Sequence, residues 1–113
     1  MMEKSLKYLT DIKIAIEFIQ EFMLEIENFE DYCNDHKTQS AVERQLVIIG
    51  EALNQIKKID SSIVIYSDQQ IVSFRNRLVH AYDSIDNTIV WVIIKRHLEP
   101  LKEEIQTKIN QPQ

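Results

Sequence analysis

Glycine occurs once in this chain, at Gly50. Walker loops and dinucleotide fingerprints need several glycines to bring backbone N–H groups against phosphate, so both are excluded. Cysteine also occurs once, as Cys33, which rules out an intrachain disulfide and is expected to be a half-buried small side chain. His36, His80 and His97 stand far apart, and none has a second ligand at zinc-like spacing, so neither a metal nor a cofactor is expected. No stretch approaches the ~18 uninterrupted apolar residues of a membrane span. Glu3, Lys4 and Lys7 break up the start of the chain, where a signal peptide would be apolar. These absences predict a cytoplasmic protein with no membrane partner.

What is present suits one modest core. The chain has 113 residues, of which 44% are hydrophobic, so it is read as a single folded domain over 1–113. A chain of this size buries roughly two-thirds of the surface that it exposes unfolded. Asp and Glu number 18 against 13 Lys and Arg, a formal net charge of -5. That balance argues against a broad DNA-coating surface, which would be basic. It allows a small local basic pole, for which Arg75, Arg77, Lys95 and Arg96 are the candidates. An acidic body also suits a partner with a basic surface.

The hydrophobic pattern is helical almost throughout. Leu9, Ile12, Ile16, Ile19, Met23 and Ile26 recur three and four apart and predict a long amphipathic first helix. Asn28 ends it or caps a short turn through Phe29 to Cys33. A second long helix starts near Lys37 to Ser40, carries Val42, Leu46, Ile49, Leu53 and Ile56, and breaks at Asp60-Ser61-Ser62. Gly50 costs its middle ~1 kcal/mol of propensity relative to alanine, which points to close approach of a neighbouring helix. Residues 61–66 read as a loop or helical turn. Ser67 with Gln70 fits a capping box that starts a third helix. Asp86 is the expected cap of a fourth, and Pro100 forces a kink or restart within it. The predicted fold is an all-α, up-and-down bundle of four to five helices.

The third helix carries the chemistry, in the segment Ser73-Phe74-Arg75-Asn76-Arg77-Leu78-Val79-His80-Ala81-Tyr82. Ile71, Phe74, Leu78 and Ala81 fix the core direction. With about 100° per residue, His80 lies nearly opposite that direction, beside Asn76 and Ser73, while Arg75 sits on the flank about 140° from His80. Arginine carries a planar fork of donors and a permanent charge, suited to a phosphorane-like transition state. Histidine moves protons near neutral pH. The two together suffice to cut RNA without a metal. A histidine facing outward needs a covering surface to make a cleft, and a twofold-related copy is the simplest source, so a homodimer is expected. From spacing alone an ordinary helix surface fits as well, with Arg75 and Arg77 as solvated charges, His80 favoured by the helix dipole and Tyr82 buried.

The run from Phe74 to Tyr82 resembles the signature of HEPN-domain ribonucleases, in which an arginine, usually followed by asparagine, precedes a histidine by several residues. Tyr82, two past His80, narrows the resemblance to the HepT-like toxins of prokaryotic toxin–antitoxin pairs. Lys37 to Arg44, Ile48 to Ala52, Ile85-Asp86 and Ile89 to Trp91 are similar to the same family in the same order. Ala81 departs from it, standing where glycine is frequent. The resemblance implies an all-α HEPN-like dimer with paired motifs at its interface and a metal-independent RNA endonuclease activity. Arg75, Asn76 and His80 would be catalytic. Arg75 would hold the scissile phosphate, His80 would move a proton at the 2′-hydroxyl or the 5′-oxygen, and Asn76 would orient His80 or a phosphate oxygen. It further implies a type VII-like pair, with an antitoxin resembling a minimal nucleotidyltransferase of the MntA type that silences the toxin by attaching AMP to Tyr82. The alternative is a non-catalytic HEPN module that binds a nucleotide or docks on a nucleotidyltransferase.

Overall fold

The structure, a computed structural model, describes residues 3–80 and 85–111, apart from the side chains at 79 and 80. It is all-α, with no strand among the described residues. Helix α1 (Glu3–Phe22) is followed by a short α2 (Phe29–Cys33) and the long α3 (His36–Ile59). Helix α4 (Gln69–His80) carries the Arg75 segment. Helix α5 (Asn87–Val92) then runs through a π-helical turn (Ile93–His97) into α6 (Leu98–Ile109). Helix α3 packs on both α1 and α4, α4 reaches the π turn, and α6 returns to α1. This closes a four-membered ring of the kind expected for an up-and-down bundle.

Leucine and isoleucine at three- and four-residue spacing bury the ring's centre. Leu9, Ile12, Ile16 and Ile19 of α1 meet Leu46, Ile49, Leu53 and Ile56 of α3, all fully buried. Ile71, Phe74 and Leu78 turn α4 inward, and Val90, Ile93, Leu101 and Ile105 complete the core from the last helices. Cys33 is partly covered, as a small side chain at that place should be.

Several helix ends differ from the sequence reading. The apolar stripe of α1 continues to Ile26, but the helix stops at Phe22 and a turn takes over, with the Ile26 N–H donating to the Met23 carbonyl at 3.0 Å. Asn28 takes the second of its two expected uses and caps α2, its side chain accepting from the Asp31 N–H at 2.9 Å. Helix α3 starts slightly earlier than expected, because Asp35 caps it by accepting from the Thr38 N–H at 3.0 Å and the Thr38 hydroxyl at 2.7 Å. Those donors hold the Asp35 carboxyl below the usual carboxylate range. The Ser67–Gln70 capping box does not open α4. The N–H groups of Tyr66 and Ser67 donate to the two carboxylate oxygens of Glu104 at 2.7 and 2.9 Å. The first helical turn is closed one residue later, by the Asp68 carbonyl accepting from Ile71 and Val72. Asp86 caps α5 through the Thr88 N–H at 2.8 Å, as its position predicts. Pro100 lies in the third position of α6. The missing proline donor is absorbed by the preceding π turn, where the Leu98 N–H reaches back to the Ile93 carbonyl.

Two contacts fix α4 on α3. The Lys57 ammonium lies 2.9 Å from the nearly buried Asp68 carboxylate. Two turns further along both helices, Gly50 faces Arg75. The paired numbers fall along α3 as they rise along α4, so the helices run antiparallel. A Cβ built on Gly50 would lie 2.6 Å from the Arg75 Cβ and 2.8 Å from its Cγ. The glycine therefore marks the close helix approach expected from sequence. Gly50→Ala gains about 1 kcal/mol of helix propensity. The new methyl must also displace atoms next to the α4 backbone, at a typical cost of about 1–3 kcal/mol. The expected net result in urea unfolding is lower stability, against the usual direction for this exchange in a helix; a net gain would mean that the two helices can part freely.

Candidate active site

Three side chains converge where α4 crosses α3. The aliphatic stem of Arg75 lies in the space left by Gly50. Its head turns back to α3, where Nη2 pairs with Oε2 of Glu51. Its other terminal nitrogen, Nη1, donates to Oδ1 of Asn76 at 3.2 Å. The Arg75 side chain keeps 23% of its surface exposed and Glu51 keeps 50%, so the fork is half sheltered and still reachable. Arg75 Nε is buried and has no hydrogen-bond partner among the described residues.

The wheel angle left Arg75 far round the helix from His80. Asn76 narrows that gap. It sits between the two on the wheel, and its amide oxygen draws the guanidinium toward the outer face. Ser73, Asn76 and Arg77 are exposed there. His80 is the last residue of α4, four beyond Asn76 and so on the same face by helical repeat. Its side chain lies outside the described atoms, and Tyr82 and Ala81 lie outside the described residues. Arg75 and Asn76 are thus brought together, although Asn76 binds Arg75 where the sequence suggested His80 or a phosphate as its partner.

Two members of the expected basic pole have partners within the chain. Arg75 is engaged by Glu51, while Lys95 lies 4.7 Å above the Trp91 ring, in a cluster with Phe29 and Tyr32. Glu51 is the residue that site-directed reading of the sequence passed over. Its neighbour Gly50 was the available signal, since the one glycine in a long helix marks the place where another helix comes near.

Comparison with known proteins places the chain in a family. The family model described as "Ribonuclease HepT-like" matches residues 12–107. A protein named "Probable ribonuclease HepT" from Thermococcus cleftensis is 40% identical over 110 residues, covering 93% of this chain and 96% of the relative. Other relatives are named as RNases, and two of them serve as examples. One, from Methanocaldococcus jannaschii, is 31% identical over 103 residues, 85% of each chain. The other, from Caldanaerobacter subterraneus subsp. tengcongensis, is 29% identical over 100 residues, 88% of each chain. No solved structure gives a significant match. The chain belongs to the HepT-like ribonuclease family. Among the described residues, no helix is long and apolar enough to cross a membrane.

The part-exposed Arg75–Glu51 ion pair should itself contribute little to folding, since such pairs are worth about 0–1 kcal/mol. Arg75→Ala also removes the stem that packs over Gly50, so it is expected to lower the unfolding free energy by about 1–2 kcal/mol, with unchanged helical circular dichroism. A collapse of the fold would assign Arg75 to the architecture.

Proposed function

We propose that this protein is the toxin of a toxin–antitoxin pair and cuts RNA by metal-independent transphosphorylation. The observation that carries the reading is the Arg75 fork, held part-exposed by Glu51 and Asn76 on the helix that ends in His80. Family membership supports it.

The chemistry follows from ribose. The 2′-oxygen attacks the adjacent phosphorus and the 5′-oxygen leaves, giving a 2′,3′-cyclic phosphate and a free 5′-hydroxyl. One proton must leave the 2′-hydroxyl and one must reach the 5′-oxygen. His80 transfers one of these protons. Arg75 binds the non-bridging phosphate oxygens, which carry the added charge in the transition state. Asn76 holds Arg75 through its oxygen and keeps its amide N–H groups for a phosphate oxygen. DNA has no 2′-hydroxyl and should resist. We place a second copy over the exposed Ser73, Asn76 and Arg77 face, making a homodimer in which two His80 imidazoles line one cleft.

Regulation is assigned to Tyr82. A minimal nucleotidyltransferase of the MntA type would transfer AMP from a nucleoside triphosphate to the Tyr82 hydroxyl, releasing pyrophosphate. The attached adenylate would put bulk and negative charge two residues from His80, where substrate phosphate must bind.

His80→Ala is expected to abolish cleavage of single-stranded RNA in excess chelator, with the dimer unchanged by light scattering. Equal cleavage by this variant would favour a module that only binds nucleotide or docks on its partner. Tyr82→Phe should remain active when co-incubated with the antitoxin and ATP, which silence the wild type. Loss of activity in both would remove Tyr82 from the control mechanism.

A further inference from the structure

Only one of the two groups holding Arg75 belongs to the motif on α4; the other, Glu51, comes from α3. We infer that Glu51 is a positioning residue for RNA cleavage, aiming the Arg75 fork at the scissile phosphate. This rests on the assignment of Arg75 to that phosphate.

The geometry divides the work between consecutive residues. Gly50 makes room for the Arg75 stem, and the carboxylate of Glu51 reaches the head. An arginine side chain is long and has many rotamers, and water competes well for its charge. With Nε buried and unpartnered among the described residues, the bond from Nη2 to Glu51 ties the head to α3 against that competition. Asn76 alone would not, because it sits on the same helix as Arg75 and moves with it. Of the guanidinium's N–H groups, one on each terminal nitrogen remains to meet two phosphate oxygens.

The pairing also fixes what Glu51 contributes. A carboxylate beside the fork offsets part of its charge, so it adds little to ground-state attraction for RNA. Its gain is orientation, which matters most where the phosphate charge develops. Because Glu51 is half exposed, its loss should leave the fold nearly intact.

The test compares full-length variants on a fluorogenic single-stranded RNA of mixed sequence, in chelator. Glu51→Gln should lower kcat about tenfold or more. Its KM should stay within about threefold of wild type. Glu51→Asp, charged but one methylene short, should fall between the two, and carries the comparison if the Gln variant folds poorly by circular dichroism. In an Arg75→Lys background, followed in single turnover with excess enzyme, Glu51→Gln should have almost no further effect, since no fork is left to aim. Wild-type kcat in Glu51→Gln, alongside an inactive Arg75→Ala, would overturn the role of Glu51 alone. So would equal losses in the wild-type and Arg75→Lys backgrounds, which would make its action independent of the fork. A rise in kcat or in RNA affinity would also overturn it, by marking Glu51 as a competitor of phosphate. Full activity in Arg75→Ala would instead strike the assignment of Arg75 itself.

Discussion

A missing Cβ sets the geometry of this molecule. Helix α4 can lie against α3 only because residue 50 has no side chain where the Arg75 stem passes. Close-packed interiors resist the insertion of even one methyl group. The distance between the two helices is therefore fixed by residue identity at a single position. The Lys57–Asp68 contact lies two turns away and matches the same antiparallel register. Every polar contact around Arg75 inherits its accuracy from the Gly50 contact.

The acidic composition becomes easier to understand in this setting. An excess of carboxylates disfavours broad attraction to nucleic acid. An arginine partly offset by Glu51 extends that restraint to the site. Such a fork discriminates by shape: two directed N–H groups suit a phosphate that arrives in one orientation. On the proposed reading, affinity for RNA in general is a smaller part of the design than accurate presentation of one bond.

Fold class and helix faces were legible because apolar spacing in α1, α3 and α4 matches the buried set nearly residue for residue. Asn28 and Asp86 could be recognised as caps because a short side-chain acceptor before an apolar run has one economical use. The start of α4 was misread for the opposite reason. Ser67 and Gln70 form a good local motif, but Glu104, distant in sequence, takes the Ser67 N–H. At Pro100 the need for an interruption was visible, while its form, a π turn upstream, depends on how α5 and α6 stay in line against their neighbours. At the site, Arg75 and Asn76 were visible as chemistry on one helix. Glu51 was not, because a charged residue next to a glycine looks like any solvated helix position until α4 is laid across it.

The carboxylate of Glu104 grips two consecutive backbone N–H groups just ahead of α4, across an interval of 38 residues to Tyr66. Translation proceeds from the N-terminus, so this grip cannot form until Glu104 has emerged from the ribosome. Helices α1 and α3 are complete well before that moment and can associate first. The approach to the Arg75 helix is thus fastened only after the scaffold that receives it has been made.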